Sequence, residues 1–507
     1  MSEPASTVRD SDRGHAGPPP IGYELCDRAS EPLIYFLIIF CPWAFGTTPN
    51  WAMHVANTVG DTLGLLLLTK WIIRWRTAFQ PMRWGPRSYR PADLAAYRTR
   101  WITRLVAFTT IGLLAQCFIS ACNARATYFY ASGTFAYHNC ISWLPHSYDS
   151  ASTWEAFWNY LAWAAAFWAL RDWLLGKSEA EVLSGLRASR EQGAGGTAHR
   201  PTAGLPIRLQ RLLWVLSFNG AALSLEAIIQ LTSGTNKLLW LQPTYYNRAA
   251  EAQFGPFPYR SNGAQYVNLV WPVTLGFWWA LQRARPRVAG TWHHLLLACI
   301  AIMIAGPAMT LSRGGVLVAA ANVLVGGALL LFSGRRIHSL RSRLAILVLL
   351  LVALAGGLYG VWDRLDVRMK ELAEGFRGRE RMTEVGRRMA ADAPWFGTGA
   401  ETLQPLYQLY KGPADEYWPG QLHNDWLETR ITFGLAGFGL ILCGLAMALA
   451  RWRVGGGIPV SWRFVSFIWL AMAGCLVHAR WDLPFQVYSI TLLLLLYCSV
   501  LLCLGEK

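Results

Sequence analysis

Four residues from four separate stretches have the types that a group-transfer site needs: Arg260, Arg313, His423 and Asp482. His423 stands in Gln421-Leu422-His423-Asn424-Asp425-Trp426-Leu427-Glu428, near the end of a long polar segment that runs from Trp362 to Leu435 and leads into an apolar run. An unperturbed imidazole titrates near ~6.5, close enough to neutrality to take the proton of an attacking hydroxyl. Arg260 follows Tyr259 just before one apolar run, and Arg313 sits in the tight turn Ser312-Arg313-Gly314-Gly315. Asp482 lies between two further runs, four residues after His478. Two guanidiniums offer fixed donor forks suited to phosphate oxygens, and a diphosphate held by them leaves more readily as negative charge develops on it. The set suits transfer from a diphosphate-linked donor to a hydroxyl with no obligatory metal or cofactor, although the acids of the long segment leave an ion site open.

Each group also has an ordinary reading. An arginine at the end of a span commonly snorkels toward headgroups, and a lone histidine ahead of a helix commonly caps it. Arg313 resists this, because basic residues are disfavoured in short outer connections and two adjacent glycines let the backbone approach a ligand.

What must position these residues follows from composition. The 507 residues are 53% hydrophobic and only 15% charged, with 26 Trp, and the apolar residues come in runs. Such a chain cannot bury its apolar surface in one soluble core. It reads as an all-α polytopic membrane protein. Runs near the ~20 residues that cross a bilayer fall at about 32–48, 52–73, 101–122, 153–175, 211–232, 264–282, 292–311, 314–332, 344–362, 431–450, 464–480 and 484–504, which makes about twelve transmembrane helices. The expected organisation is a disordered cytoplasmic tail over 1–31, helices 1–9 over 32–362, a large periplasmic helical loop over 363–430 between helices 9 and 10, and helices 10–12 with a short cytoplasmic C-terminus over 431–507. The stretch before Glu31 lacks the pattern of a cleavable signal peptide.

The net charge of +16 does not point to nucleic acid, because the arginines cluster in alternate connections, where positive-inside topology accounts for them. Arg74–Arg104, Lys177–Arg211, Arg283–Arg287, Arg335–Arg343 and Arg451–Arg463 are the basic set, so both termini are expected in the cytoplasm. The 363–430 segment holds ten basic and twelve acidic residues, a balance that permits translocation. Arg260, Arg313, His423 and Asp482 then share the outer face. Of the ten Cys, Cys122 and Cys140 flank one outer connection and could bridge in an oxidising periplasm. The absence of CxxC and HExxH argues against a zinc site.

Within the long segment, Leu365, Met369, Leu372 and Phe376 recur at helical spacing, as do Val385, Met389 and Ala393, which predicts two amphipathic surface helices broken at Pro394, Gly397 and Gly399. Trp395, Tyr407, Tyr410, Tyr417 and Trp418 could stack on sugar rings or form an interfacial belt. Glu191–Gly204 reads as a Gly- and Ala-rich linker.

The order of these pieces resembles the O-antigen ligase and polymerase superfamily: Tyr259-Arg260-Ser261-Asn262, Ser312-Arg313-Gly314-Gly315, Gly378-Arg379, then Asp392 to Gly399, then His423-Asn424-Asp425-Trp426-Leu427 with Gly434 and Gly437, and a closing Asp482-Leu483-Pro484-Phe485. The resemblance covers roughly residues 210 to 500. It implies a bacterial inner-membrane enzyme, with no cofactor, that takes a glycan from undecaprenyl diphosphate on the periplasmic side. The acceptor would be lipid A core in ligases, another lipid-linked repeat in polymerases, and a protein hydroxyl in other relatives. By position, Arg260 and Arg313 match the arginines taken to hold the diphosphate and His423 the histidine taken to activate the acceptor. Arg379, Asn424, Asp425 and Asp482 would support them. Thr432 stands where the family commonly has Glu, and Thr383 where a Trp often follows Gly-Arg.

Two rivals from other classes remain. A secondary transporter would use Glu226 and His478 as a proton relay, but the halves show no repeat and the polar groups gather at one surface. A purely structural membrane scaffold gives no reason for Arg313.

Overall fold

The computed structural model describes residues 19–84, 94–178, 180–183, 205–244, 249–284, 292–332, 340–363, 372–412 and 419–506. The principal helices are α1 (Ile21–Trp43), α2 (Asn50–Thr77), α3 (Leu94–Cys122), α4 (Ser150–Leu175), α5 (Ile207–Thr232), α6 (Arg260–Ala284), α7 (Leu295–Met309), α8 (Arg313–Leu331), α9 (Leu340–Tyr359), α10 (Leu372–Asp392), α11 (Leu403–Tyr410), α12 (Asp425–Ala450), α13 (Trp462–His478) and α14 (Tyr488–Cys503). Each expected apolar segment is overlaid by a helix. Among the described residues, six helices are long and apolar enough to cross a membrane: Leu94–Cys122, Ile207–Thr232, Trp292–Met309, Arg313–Leu331, Leu340–Tyr359 and Asp425–Val454. The protein is a polytopic helical membrane protein, with small two-stranded ladders in its connections. β1 (Ala126–Phe129) pairs antiparallel with β2 (Thr134–Tyr137), and a short parallel ladder joins Ile458–Val460 to Leu504–Glu506.

The axis of the bundle is α6, buried along nearly its whole length, the state of a helix enclosed on every side. It packs against α5, α7, α8, α13 and α14, and Gly276 lets α13 come so close that an added Cβ would lie 2.7 Å from the Cβ of Phe467. At the end away from His423, Lys70 reaches Asp27 at 2.8 Å and Asp172 at 2.6 Å, while Arg74 and Arg208 bind the same two carboxylates at 2.9 and 2.6 Å. Pairing makes these buried charges tolerable.

A break in α12 matters most for the site. Gly434 has φ 64° and ψ −166° inside the helix, so the backbone groups around it lose their helical partners. The extended turn from Pro394 to Gly399 takes them over. Thr398 N donates to Ile431 O at 2.9 Å, Gly399 N to Thr432 O at 3.1 Å, Leu435 N to Pro394 O at 2.8 Å and Ala436 N to Trp395 O at 2.9 Å. The Gln116 amide of α3 donates to Phe433 O at 2.8 Å and to Phe396 O at 3.0 Å. Backbone leaves the helix at membrane depth only when protein re-satisfies it, and here the Gly397-Thr398-Gly399 turn does so. A Cβ on Gly434 would lie 2.3 Å from Trp395 O, and one on Gly397 2.5 Å from Ile431 O.

Several expectations are corrected. Residues 21–31, assigned to the disordered tail, begin α1. Among the described residues one continuous helix, α10, covers Leu372 through Asp392 and joins positions assigned to two helices, and α11 is a further helix of the segment. Met382, Val385 and Met389 of α10 are buried with Leu403, Leu406, Tyr407, Leu422 and Ile431, so the segment builds an apolar core of its own. Tyr407 belongs to that core and is no sugar platform, whereas Trp395 is exposed. Cys122 and Cys140 are free thiols. Asn123 joins their two stretches instead, donating to Ile141 O at 2.9 Å and accepting from Ile141 N at 2.8 Å. Residues 1–18 of the tail, the Glu191–Gly204 linker, Leu365, Met369, Tyr417 and Trp418 lie outside the described residues.

Candidate active site

Three helix starts and one short connection meet at one end of the bundle. The α7–α8 turn is so tight that Leu311 takes φ 56°, and the Ser312 hydroxyl caps α8 by accepting from Gly315 N at 3.1 Å, the usual service of a serine at that position. Ser312 Oγ also donates to Ser261 Oγ, in the first turn of α6, at 3.1 Å. Asn268, two turns further along α6, donates to Gly315 O at 2.9 Å. The starts of α6 and α8 are thereby fixed to each other.

His423 precedes α12 with φ 53°, a left-handed conformation uncommon for a side chain other than glycine. Its neighbours hold it there. Leu422 N donates to Glu428 Oε2 at 2.8 Å, Asn424 Oδ1 caps the helix from Leu427 N at 3.3 Å, and Asp425 N donates to Ala479 O at 2.9 Å. Asp425 then clamps the α13–α14 connection, accepting from Phe485 N and, at 3.3 Å, from the Gln486 amide. Asn424 and Asp425 therefore hold the backbone on either side of the His423–α12 junction. Strain of this kind persists where the surroundings over-determine the backbone, and it concentrates at functional sites.

The centre of the cluster is Asp482, 3% exposed. Its Oδ1 lies 3.1 Å from His423 Nδ1 and accepts from Leu483 N at 3.1 Å. Its Oδ2 accepts from the Ser261 hydroxyl and lies 3.6 Å from His478 Nε2. Burial alone would raise the carboxyl pKa, but the hydrogen bond from His423, the charges of His478 and His423 and the Ser261 bond hold it below the ordinary carboxylate value. An ionised carboxylate on Nδ1 fixes the ring so that Nε2 is the atom left to exchange a proton. His423 is 21% exposed along its side chain, so the ring is not sealed inside the bundle.

Around this pair stand the cations. Arg379 of α10 donates to Trp481 O at 2.7 Å. The Tyr259 ring meets His423 edge-on with centroids 6.1 Å apart. Burial pushes the Tyr259 hydroxyl above its ordinary pKa and the Asp482 charge adds to this, while Arg379 and Arg313 pull the other way; both guanidiniums thus act on the same spot. Arg260 starts α6 one residue later, with its guanidinium donating to Glu251 O at 2.8 Å.

The structure therefore brings together His423, Asp482, Arg313 and Arg379, whereas Arg260 adjoins them through its chain neighbours Tyr259 and Ser261 and turns its guanidinium to Glu251 O. Ser261, Tyr259, Ser312 and His478 are additions to the set read from the sequence. The four-residue spacing of His478 and Asp482 was a usable signal for one of them, because residues so spaced across a helix end face each other. Gly314 and Gly315 have a different reason than ligand approach: a Cβ on Gly314 would lie 2.3 Å from His478 Nε2, and one on Gly315 2.5 Å from Ala264 Cβ. The glycines let α8 close on α6 and on the histidine. Glu226, the other half of the suggested proton relay, lies against Gly255, and no hydrogen bond joins it to His478 among the described residues.

Comparison with curated proteins finds no match. The model of the family described as O-antigen ligase matches residues 298–442, from within α7 to within α12. This stretch holds Arg313, Arg379, His423, Asn424 and Asp425, while Arg260 and Asp482 lie on either side of it. This match over 298–442 agrees with the residues quoted from the sequence and supports a kinship of that stretch with the O-antigen ligase superfamily.

Proposed function

We propose that the protein is a twelve-span inner-membrane glycosyltransferase that moves a glycan from undecaprenyl diphosphate to an acceptor hydroxyl at the periplasmic surface. The single observation that carries this is the 3.1 Å contact between His423 Nδ1 and the buried, ionised Asp482. It leaves Nε2 of His423 to take the acceptor proton, while Asp482 stabilises the imidazolium that forms. The acceptor oxygen bonds to the anomeric carbon as the bond from that carbon to the diphosphate breaks, and the diphosphate leaves with the electron pair. Arg313, Arg260 and Arg379 oppose the charge that develops on it. The starts of α6 and α8 add the positive ends of their helix dipoles. No step calls for a metal. Polymerisation of lipid-linked repeats and glycosylation of a protein hydroxyl are the same chemistry with another acceptor.

The test is transfer by purified protein from undecaprenyl-diphosphate glycan to separate candidate acceptors. His423→Ala and Arg313→Ala are expected to insert and fold normally yet lose transfer by roughly a hundredfold or more, the scale of a general base or charge-stabilising group. Near-normal transfer by His423→Ala refutes its role as the base.

A further inference from the structure

Beside the His423 cluster a cavity of about 610 Å³ opens among α3, α4, α12 and α14. It is as large as a site for a small ligand, and it shares the 420–429 and 485–486 stretches with the site just described. Its two ends differ in chemistry. Near His423 it is lined by Glu155, Glu401, Gln404, Gln421, Tyr130 and Ser152. Deeper, the walls are Val106, Leu113, Phe167, Leu440, Leu445 and Leu494. Along α12 the lining extends from Glu428 to Ala448, which at about 1.5 Å per residue is about 30 Å, the thickness of a hydrocarbon core. Among the described residues that line it there are three carboxyls, Glu155, Glu401 and Glu428, and no Lys, Arg or His.

We propose that this cavity seats the acceptor as an amphiphile, with its acyl or prenyl chain along α3 and α12 and an uncharged or amino-bearing sugar head at the carboxylate-lined mouth. Apolar walls that run the depth of a bilayer suit a chain. Carboxylates, side-chain amides and Tyr130 suit sugar hydroxyls. Burial pushes the Glu428 pKa up to about 8, so it faces the cavity as a neutral acid, and the like charges of Glu155 and Glu401 disfavour phosphate, whose place is beside Arg313 and Arg379, neither of which lines the cavity. Donor diphosphate and acceptor glycan are thus sorted by charge to separate parts of the site, and a head crowded with phosphate near its lipid is disfavoured. Naming the occupant as the acceptor rests on the transfer reading above; the cavity's selectivity does not.

The experiment uses the full chain in phosphatidylcholine nanodiscs and two photoreactive probes with the same diazirine-bearing octadecyl chain, one with an uncharged disaccharide head and one with a phosphate head. The expected result is crosslinking of the disaccharide probe to the cavity-lining parts of α3 or α12, roughly tenfold above the phosphate probe. Ile441→Trp, which fills the cavity, should abolish it. Glu155→Gln with Glu401→Gln should narrow the discrimination. Leu445→Phe serves as a second filling variant should Ile441→Trp fail to insert. Equal or stronger labelling by the phosphate probe, or labelling unaffected by both filling variants, overturns the proposal. Because the readout is binding, labelling without transfer sinks the enzymatic reading alone, and transfer without labelling sinks this inference alone.

Discussion

Asp482→Asn is the sharpest perturbation of the site, because it keeps the shape of the side chain and removes only its charge. With His423 Nδ1 at 3.1 Å from Oδ1, a unit pair at an effective dielectric near 20 interacts by about 5 kcal/mol. The amide can still accept a neutral hydrogen bond worth about 1 kcal/mol, and the 21% exposure of His423 adds solvent screening. What the reaction loses is therefore between about 2 and 4 kcal/mol of imidazolium stabilisation, or roughly thirtyfold to a thousandfold in rate. The assay is single-turnover transfer from undecaprenyl-diphosphate glycan, run alongside a thermal melt in the same detergent to separate lost chemistry from lost fold. In a His423→Ala background the same substitution should cost almost nothing further, since groups acting as a unit are strongly non-additive. A rate within about threefold of wild type, or a full additional loss in the double variant, refutes the reasoning that Asp482 works through His423.

Gly434→Ala places a Cβ 2.3 Å from Trp395 O at φ 64°, so the Pro394–Gly399 turn must be expelled from α12. Little folded protein is expected by size-exclusion chromatography, and a normal yield would show that the break is dispensable. Gln116→Leu strips the carbonyls of Phe433 and Phe396 of their donor and should destabilise by about 2 to 4 kcal/mol, read as a lowered melting temperature. Asp482 has a depressed pKa, so its ionisation contributes stability that is present above the ordinary carboxylate pKa, ~4, and lost as pH falls through the lower folded value. The acid limb of a melting-temperature profile below about pH 4 should therefore flatten in Asp482→Asn, and an unchanged limb contradicts the assignment. For the topology, a membrane-impermeant thiol reagent applied to spheroplasts should label Ser132→Cys in a background with both Cys122→Ser and Cys140→Ser, because Ser132 is exposed in the β1–β2 hairpin at the His423 end; protection would invert the orientation.

Length and apolar runs were enough to say where helices fall, because a bilayer imposes about twenty apolar residues per crossing. They also drew out Arg313, His423 and Asp482 as chemically able residues. They did not say that Asp482 would turn its carboxylate to His423, 59 residues away, while also taking His478 and the Ser261 hydroxyl. That convergence depends on the rotation and depth of α6, α12 and α13 against one another, which no local period encodes. Periodicity likewise predicted surface helices in the long segment, yet Val385 and Met389 face a core whose other half comes from α11 and α12. Gly397, Gly399 and Gly434 were legible as breakers, but only the assembled bundle sets one break into the other, since a freed carbonyl inside a membrane protein must find its donor in a distant part of the chain.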